Sequence, residues 1–152
     1  MQDAFGGIVN LALIVLFLVI VEGILGMTVN YTKAFKMKNV VLSAVEQYEA
    51  SACFGDNADS GCLRKIQEDA RSIGYSPSNL RCPRFFSAKT DSQGRGLFCY
   101  RQMEVVNSAS SKQTYYRIVT QVDVHIPIIR EILSLEFFQV KGDTRMIDIS
   151  NK

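Results

Sequence analysis

The chain has 152 residues, of which 47% are hydrophobic and 21% are charged, and its formal net charge is +2. All 17 Lys and Arg lie beyond residue 30, with 13 of the 15 Asp and Glu, so this part carries an excess of four positive charges. Because this mild excess is spread along the chain, it does not predict a nucleic-acid interface.

An apolar run at the N-terminus is the first predicted element. From Ala4 to Val29 the ionisable residue is Glu22, and Asn10 is the other strongly polar one. A bilayer core of about 30 Å needs roughly 20 apolar residues at ~1.5 Å each. The run predicts a transmembrane anchor helix at residues 1–29. The soluble domain at residues 30–152 has room for one modest core.

A cleaved signal peptide is the competing interpretation of this run. Its basic first segment is missing, since Met1, Gln2 and Asp3 precede Ala4, and no Ala-x-Ala spacing occurs near Met27. We therefore favour a permanent membrane anchor.

The helical pattern continues beyond the predicted span. The segment from Tyr31 to Ala50 contains no Pro or Gly. Its apolar residues recur at helical spacing, at Met37, Val41, Ala44, Val45 and Tyr48. We predict one helix from about Phe5 to about Tyr48. It would be roughly 65 Å long, half in lipid and half packed on the soluble domain.

A shorter helix and an irregular segment follow. Residues 53–61 are rich in turn formers, and Asp59 or Ser60 can cap a helix. Gly74 occupies the C′ position that ends this helix. The helix has an apolar stripe formed by Leu63, Ile66, Ala70 and Ile73. Residues 76–89 contain Pro77 and Pro83 and are predicted to be irregular.

Strand patterns dominate the remaining chain. Residues 97–106 alternate weakly and residues 114–126 alternate cleanly, with a polar connection at 107–112. Residues 133–140 predict a third strand, and a turn or bulge at 141–143 precedes a short strand at 144–149. The predicted fold class is α+β: the long helix lies on an antiparallel sheet of three or four strands, with a second short helix.

The four cysteines are Cys53, Cys62, Cys82 and Cys99. They form no close C-x-x-C pair of the kind that zinc sites use, so no metal site is predicted. An even number of cysteines in a small extracytoplasmic domain favours two disulfides, each stabilising by about 2–4 kcal/mol. Of the three pairings, we favour the sequential one, Cys53–Cys62 with Cys82–Cys99. Four reduced thiols in a cytosolic domain are the alternative.

Two signals disagree about orientation. Lys33, Lys36 and Lys38 follow the span and no basic residue precedes it, so the positive-inside rule places the soluble domain in the cytoplasm. The cysteines favour the other side of the membrane. We follow the cysteines, because the lysines can belong to a packing face. We predict a single-pass cell-membrane protein with an extracytoplasmic domain.

The sequence contains no catalytic constellation. It has no phosphate loop, no G-x-S-x-G, no H-E-x-x-H and no Cys/His pair with a third partner. We therefore expect neither enzymatic activity nor a cofactor. His125 is on the polar face of its predicted strand and is expected to face solvent.

Polar and small residues inside the apolar run are the candidate functional residues. Glu22 is about 10 Å inside the far boundary of the span, where a charge costs roughly 2.5–3.5 kcal/mol. We interpret it as a contact with another helix; the alternative is a snorkelling or protonated residue at a misjudged span end. Asn10 can hydrogen-bond between helices, and Gly6 and Gly7 permit close helix approach.

These segments resemble the TadE-like pseudopilins of tight-adherence pili. In that family a glycine precedes a Val-Glu-Phe-Ala-Leu-type segment, and here Gly6 and Gly7 precede Val9-Asn10-Leu11-Ala12-Leu13. The family's span ends in Ile-x-Glu or Val-Glu, as in Val19-Ile20-Val21-Glu22-Gly23 here. The family ends in a strand closed by Pro, an apolar connection and a last strand with a basic segment. The matching residues are Val122 to Ile128, Leu133, Val140 and Thr144-Arg145-Met146.

The chain departs from the family at two points. Asn10 occupies the place of the family's first glutamate, and no basic residues precede the glycine. Both features guide processing by a prepilin peptidase and subunit docking in the family, so a cleaved and an unprocessed N-terminus both stay open as alternatives here.

The resemblance implies a structural subunit of a pilus or secretion apparatus. Such a subunit assembles through its N-terminal helix with other pilin-like subunits or platform proteins, as an oligomer at the membrane. A membrane-tethered binding or sensing domain is the alternative. Its binding residues would be the Cys53–Cys62 loop or the strand aromatics Tyr115, Tyr116, Phe137 and Phe138.

Overall fold

The long N-terminal helix packs its C-terminal half against an antiparallel sheet, beside a short second helix. This computed structural model describes residues 2–48, 53–54, 61–106, 112–124 and 137–148. The predicted α+β fold class is confirmed. In chain order, the elements are α1 (Gln2–Tyr48), α2 (Gly61–Ile73), β1 (Ser87–Thr90), β2 (Gly96–Val106), β3 (Lys112–Asp123), β4 (Phe137–Asp143) and β5 (Ile147–Asp148).

α1 is one unbroken helix of 47 residues, as the sequence predicts. Its C-terminal half buries a stripe at helical spacing, each member at most 2% exposed. This packing stripe consists of Ala34, Met37, Val41, Ala44 and Val45. Tyr48 was predicted for the same stripe but is 39% exposed. It is the last residue of α1, and its ring lies beside Gly61 at the start of α2.

The sheet has the strand order β1-β2-β3-β4, with every neighbouring pair antiparallel. β4 and β5 both pair with β3 and form one interrupted edge. At the interruption the Thr144 N–H donates to the Tyr116 carbonyl, and the Thr144 hydroxyl accepts from the Tyr116 N–H, each over 2.9 Å. Because this hydroxyl replaces a backbone partner, the break follows Asp143 rather than falling at the predicted turn, 141–143.

β1 begins in the segment predicted to be irregular, 76–89, and that prediction is wrong for residues 87–89. β1 is joined to β2 by a tight turn in which the Asp91 N–H donates to the Arg95 carbonyl over 2.8 Å. Gly94 adopts a φ of +77° in this turn, a conformation that favours glycine. The strand forms because β2 supplies its hydrogen-bonding partner, which the local sequence pattern does not reveal.

The core lies between the two helices and the inner face of the sheet. β3 turns Ile118 and Val122 into this core, and the Thr120 hydroxyl donates to the Ala34 carbonyl over 3.0 Å. We call this packed part of the chain, from residue 30 onwards, the head. Its two layers leave the opposite face of the sheet without helices in the described residues.

α2 follows the sequence prediction closely. Leu63, Ile66 and Ala70 are buried. Gly74 has a φ of +68° directly after the last helical residue, as a C′ glycine should. The next residue, Tyr75, donates its N–H to the Ala70 carbonyl over 2.9 Å, which closes the helix end.

Several sequence predictions concern residues outside the described ranges. They are the cap at Asp59 or Ser60, residues 107–111 of the predicted connection, His125, Pro127 and the start of the third predicted strand at 133–136. Two predictions are wrong within the described residues: Lys112, predicted in the connection 107–112, begins β3, and Val124, predicted in the strand 114–126, follows the end of β3 at Asp123.

Replacing Val41 with Asp should destabilise the head by about 3–4 kcal/mol, because an unpaired charge would enter the core. Val41 is 0% exposed. Denaturant unfolding of the detergent-solubilised full chain, followed by circular dichroism, measures the change. Asn39→Asp is the matched control, since Asn39 is exposed on the same helix. Equal unfolding midpoints for the two variants would show that the second half of α1 is a free stalk.

Candidate functional site on the exposed half of the N-terminal helix

The N-terminal half of α1 exposes large apolar side chains. Leu11, Phe17 and Leu25 are 66%, 65% and 61% exposed. From Gly6 to Val29 this half extends about 36 Å, more than a hydrocarbon core of about 30 Å. By length and composition α1 is a candidate single membrane span, and no other helix of the described residues meets that criterion.

The candidate contact residues are turned away from the packing stripe. At about 100° per residue, Asn10 points about 150° from the middle of the stripe, and Gly6 and Gly7 lie on the same side as Asn10. Glu22 points about 90° from the stripe. A helix of another molecule can therefore approach these positions without meeting the head.

α1 brings Gly6, Gly7 and Asn10 together, because the two glycines precede Asn10 by four and three residues on one side of the helix, and it leaves Glu22 apart from them. Asn10 and Glu22 are exposed and lie about 18 Å apart along the helix axis. A Cβ atom built at Gly6 or Gly7 would have nothing within 4 Å. Among the described residues these positions have no tertiary neighbour, so lipid or another molecule must surround them.

Hydrogen bonding between α1 and the sheet begins, in the described part of the chain, at Asn30. Its side-chain amide donates to the Asp123 carbonyl at the end of β3 over 3.3 Å. Four residues further on, the Thr120 hydroxyl bonds the Ala34 carbonyl. The exposed half of α1 thus emerges from an end of the head where the helix is tied to β3.

Two of the three lysines after the span have packing contacts. The Lys33 ammonium lies 3.7 Å from the Cβ position of Gly74, at the C-terminus of α2, where the helix dipole favours a cation. The aliphatic part of the Lys38 side chain lies against Gly142 of β4, 2.8 Å from the Cβ position of that glycine. Lys36 is exposed. These contacts agree with the interpretation of the lysines as a packing face.

A buried polar network that the sequence analysis missed lies at the same end of the head. The Tyr75 hydroxyl donates to the Gln121 carbonyl over 3.0 Å and accepts from the Gln121 N–H over 2.9 Å. Burial holds the pKa of Tyr75 above its ordinary value, so the hydroxyl keeps its proton and goes on donating. The sequence contains one signal for the burial of Tyr75, because a residue with an apolar body directly after a C′ glycine commonly packs back on its helix.

The Gln121 side chain extends this network to the segment before β1. Its carbonyl oxygen accepts from the Arg81 N–H, and its amide donates to the Asn79 carbonyl, each over 2.8 Å. The same amide donates to Asp123 over 2.6 Å, and the other carboxylate oxygen of Asp123 accepts from the Ser78 N–H over 2.7 Å. The network fixes this segment against the sheet next to the point where α1 emerges.

All four cysteines are paired in disulfides. Cys53 bonds Cys62 with a Cα–Cα distance of 5.3 Å, and Cys82 bonds Cys99 with 5.6 Å. The first ties the chain after α1 to α2, and the second ties the segment before β1 to β2. This is the sequential pairing, and it suits an extracytoplasmic domain.

The strand aromatics divide between the two faces of the sheet. Tyr116 stacks on Phe54 with centroids 4.7 Å apart, and Tyr100 stacks on Phe54 at 4.2 Å. Phe138 packs partly buried against the core. Tyr115 and Phe137 alternate with these residues and lie on the other face. Phe54, next to a disulfide cysteine, is an inner-face anchor that its loop-like sequence context did not reveal.

The described residues contain no cluster of three or more potential metal ligands. Two small cavities, with room for about 20 and 60 Å³, lie near Tyr75 on either side of the α2 C-terminus. A cavity needs about 10–15 Å³ of such free volume to admit a water molecule, so these spaces have room for a few waters and not for a substrate-sized ligand.

Comparison with known proteins gives no relative: no family model, no curated protein and no solved structure matches this chain.

Tyr75→Phe should lower the unfolding free energy by about 1–3 kcal/mol, because it leaves a buried N–H and a buried carbonyl of Gln121 without partners. Denaturant unfolding of the full chain in detergent measures the loss. Tyr115→Phe is the control, because Tyr115 is half-buried on the sheet and keeps its ring. Equal losses in both variants would contradict a specific role for the Tyr75 hydroxyl.

Proposed function

We propose that this protein is a pilin-like structural subunit of a cell-surface pilus or secretion apparatus, of the TadE-like type that its sequence resembles. Its N-terminal helix anchors it in the cell membrane and contacts other pilin-like subunits or platform proteins there. The head is extracytoplasmic. The observation that carries the proposal is α1, whose apolar half is exposed while its other half is part of the head's core.

The continuity of α1 favours an assembling subunit over a simple tether. A flexible linker would let the head turn freely relative to its anchor. Here the packing stripe fixes the rotation of α1, so the direction of Asn10 and Glu22 relative to the head is also fixed. A subunit that must present polar positions in set directions to its neighbours needs this rigid relation.

Glu22 supports a protein contact within the membrane. A carboxylate at this depth costs roughly 2.5–3.5 kcal/mol, and in the described structure this chain provides nothing to offset it. A polar contact between helices typically contributes about 0.6–2 kcal/mol. Contact with a partner helix recovers part of the cost, whereas a solitary anchor helix would gain from an apolar residue.

A cysteine introduced at an exposed position tests the orientation. Ser43 is exposed in the head, so the Ser43→Cys variant should react with a membrane-impermeant maleimide in intact cells. The four natural cysteines should stay unlabelled under denaturing, non-reducing conditions, because they are paired. Labelling of the introduced cysteine only after lysis, with four free natural thiols, would place the head in the cytoplasm.

Glu22→Leu should separate membrane insertion from assembly. Insertion, measured by membrane fractionation, should be unchanged or improved, because a costly charge leaves the lipid. Association with the apparatus, measured by crosslinking and co-purification, should fall roughly 3- to 30-fold, because the helix contact is lost.

Two further variants calibrate this result. Glu22→Gln keeps a hydrogen-bonding group and should give an intermediate association. Ile20→Leu, an apolar exchange in the same exposed half, should change neither quantity. Full assembly of Glu22→Leu would remove the strongest residue-level support for the proposal.

A further inference from the structure

The face of the sheet that points away from the helices is covered at one end only. Ile118, Thr120 and Val122 of β3 face the helices, so the alternate residues Val119 and Gln121 face the other way. The segment around Arg81 covers this face near Gln121. Beyond it lies a surface, half-buried to exposed, that we call the outer patch. It comprises Phe85, Arg101, Met103, Tyr115, Arg117 and Lys141.

Two arginines oppose each other in this patch. Arg101 of β2 is the direct cross-strand partner of Arg117 of β3. Like charges in this arrangement destabilise a sheet. Asp143 lies beside them, but both its oxygens are bound to Arg117, at 2.7 and 2.8 Å. The hydrogen bonds from Arg117 hold the pKa of Asp143 below its ordinary value, so it stays ionised. Arg101 has no ion pair among the described residues.

An exposed aromatic ring accompanies the unpaired charge. Phe85 is 75% exposed, and its φ of +70° is rare for a side chain of its size. The Arg101 guanidinium lies 5.4 Å from its ring centroid. A large side chain in this backbone region is strained, and the conformation persists where the surrounding structure enforces it. The disulfide at Cys82, three residues before Phe85, provides such a constraint.

The residue types of the outer patch indicate whether its anionic partner is a protein or a nucleic acid. Protein interfaces are enriched in Arg, Tyr, Phe and Met and depleted in Lys. The outer patch has two arginines, three large apolar or aromatic residues and one lysine. A surface selected for a polyanion such as DNA would carry more clustered cations. The residue types therefore favour a protein.

A second copy of this chain is a poor complement to the patch. Most acids in the described part of the head have a basic partner within the chain, and one of them, Asp91, is almost buried. Glu68 pairs with Arg64, Asp69 with Lys65, Asp91 with Arg95 and Glu46 with Arg145. We propose that the outer patch docks a different protein, through a surface segment that presents carboxylates around apolar side chains. This inference does not depend on the proposed function.

Site-specific photocrosslinking tests the inference. A benzophenone amino acid replaces Met103 in the full-length protein in its native membrane, and adducts formed on illumination are identified by mass spectrometry. The expected result is one discrete adduct with a different protein, crosslinked within an acidic segment. An adduct with DNA, with another copy of this chain or with a non-acidic segment, or no adduct, would overturn the proposal.

A charge reversal checks the role of the arginine. Arg101→Glu in the crosslinking background should lower the adduct yield roughly tenfold, as expected for a contact whose loss weakens binding by that factor. This variant should fold, because Glu opposite Arg117 replaces a like-charge pair with an attractive one. Arg64→Glu is the matched control, since that side chain is 81% exposed on α2. Equal adduct yields in the two variants would also overturn the proposal.

Discussion

The contact between the packing stripe of α1 and the inner sheet face is the constraint on which the remaining arrangement depends. Small residues at Ala34 and Ala44 let the helix approach the sheet closely, and Met37 and Val41 fill the space between them. The Thr120 hydroxyl adds a polar bond to the backbone of α1. Since the same helix continues into the candidate span, this one interface fixes how the exposed half is rotated relative to the head.

Cross-links and polar bonds secure the segments that the helix packing does not reach. The Cys53–Cys62 disulfide holds the chain that follows α1, and the Cys82–Cys99 disulfide holds the chain that precedes β1. Near the point where α1 leaves the head, hydrogen bonds with Gln121 hold Tyr75 and the segment before β1 against the sheet. A soluble part of about 120 residues buries a limited apolar core, so covalent closures of this kind add stability where packing is thin.

Features that depend on neighbouring residues in the chain could be predicted from the sequence. Helical spacing predicted α1 and the stripe of α2, and glycine chemistry predicted the helix end at Gly74. Features that depend on strand register could not be predicted. β1 is a strand because β2 lies beside it. Arg101 meets Arg117 only because β2 and β3 pair in one particular register. For the candidate site, the sequence indicated which residues are unusual, and α1 packing then showed which way they point.

Glu22 and Arg101 are charged side chains without an ion-pair partner among the described residues. Within the described structure the buried side-chain polar atoms have hydrogen-bond partners except the Thr114 hydroxyl. Gln121 uses its carbonyl and amide, Asp143 is held by Arg117, and Glu46 pairs with Arg145. Glu22 and Arg101 differ, since each carries a charge in a position where its surroundings in this chain disfavour it. A folded chain has little stability to lose, so costs of this size persist where they serve a function. In the proposed membrane span, lipid would disfavour the charge of Glu22, and a polar contact with a partner helix would offset part of that cost. Arg101 lies opposite a second arginine that already holds the nearby Asp143, so the described part of this chain provides no acid for Arg101.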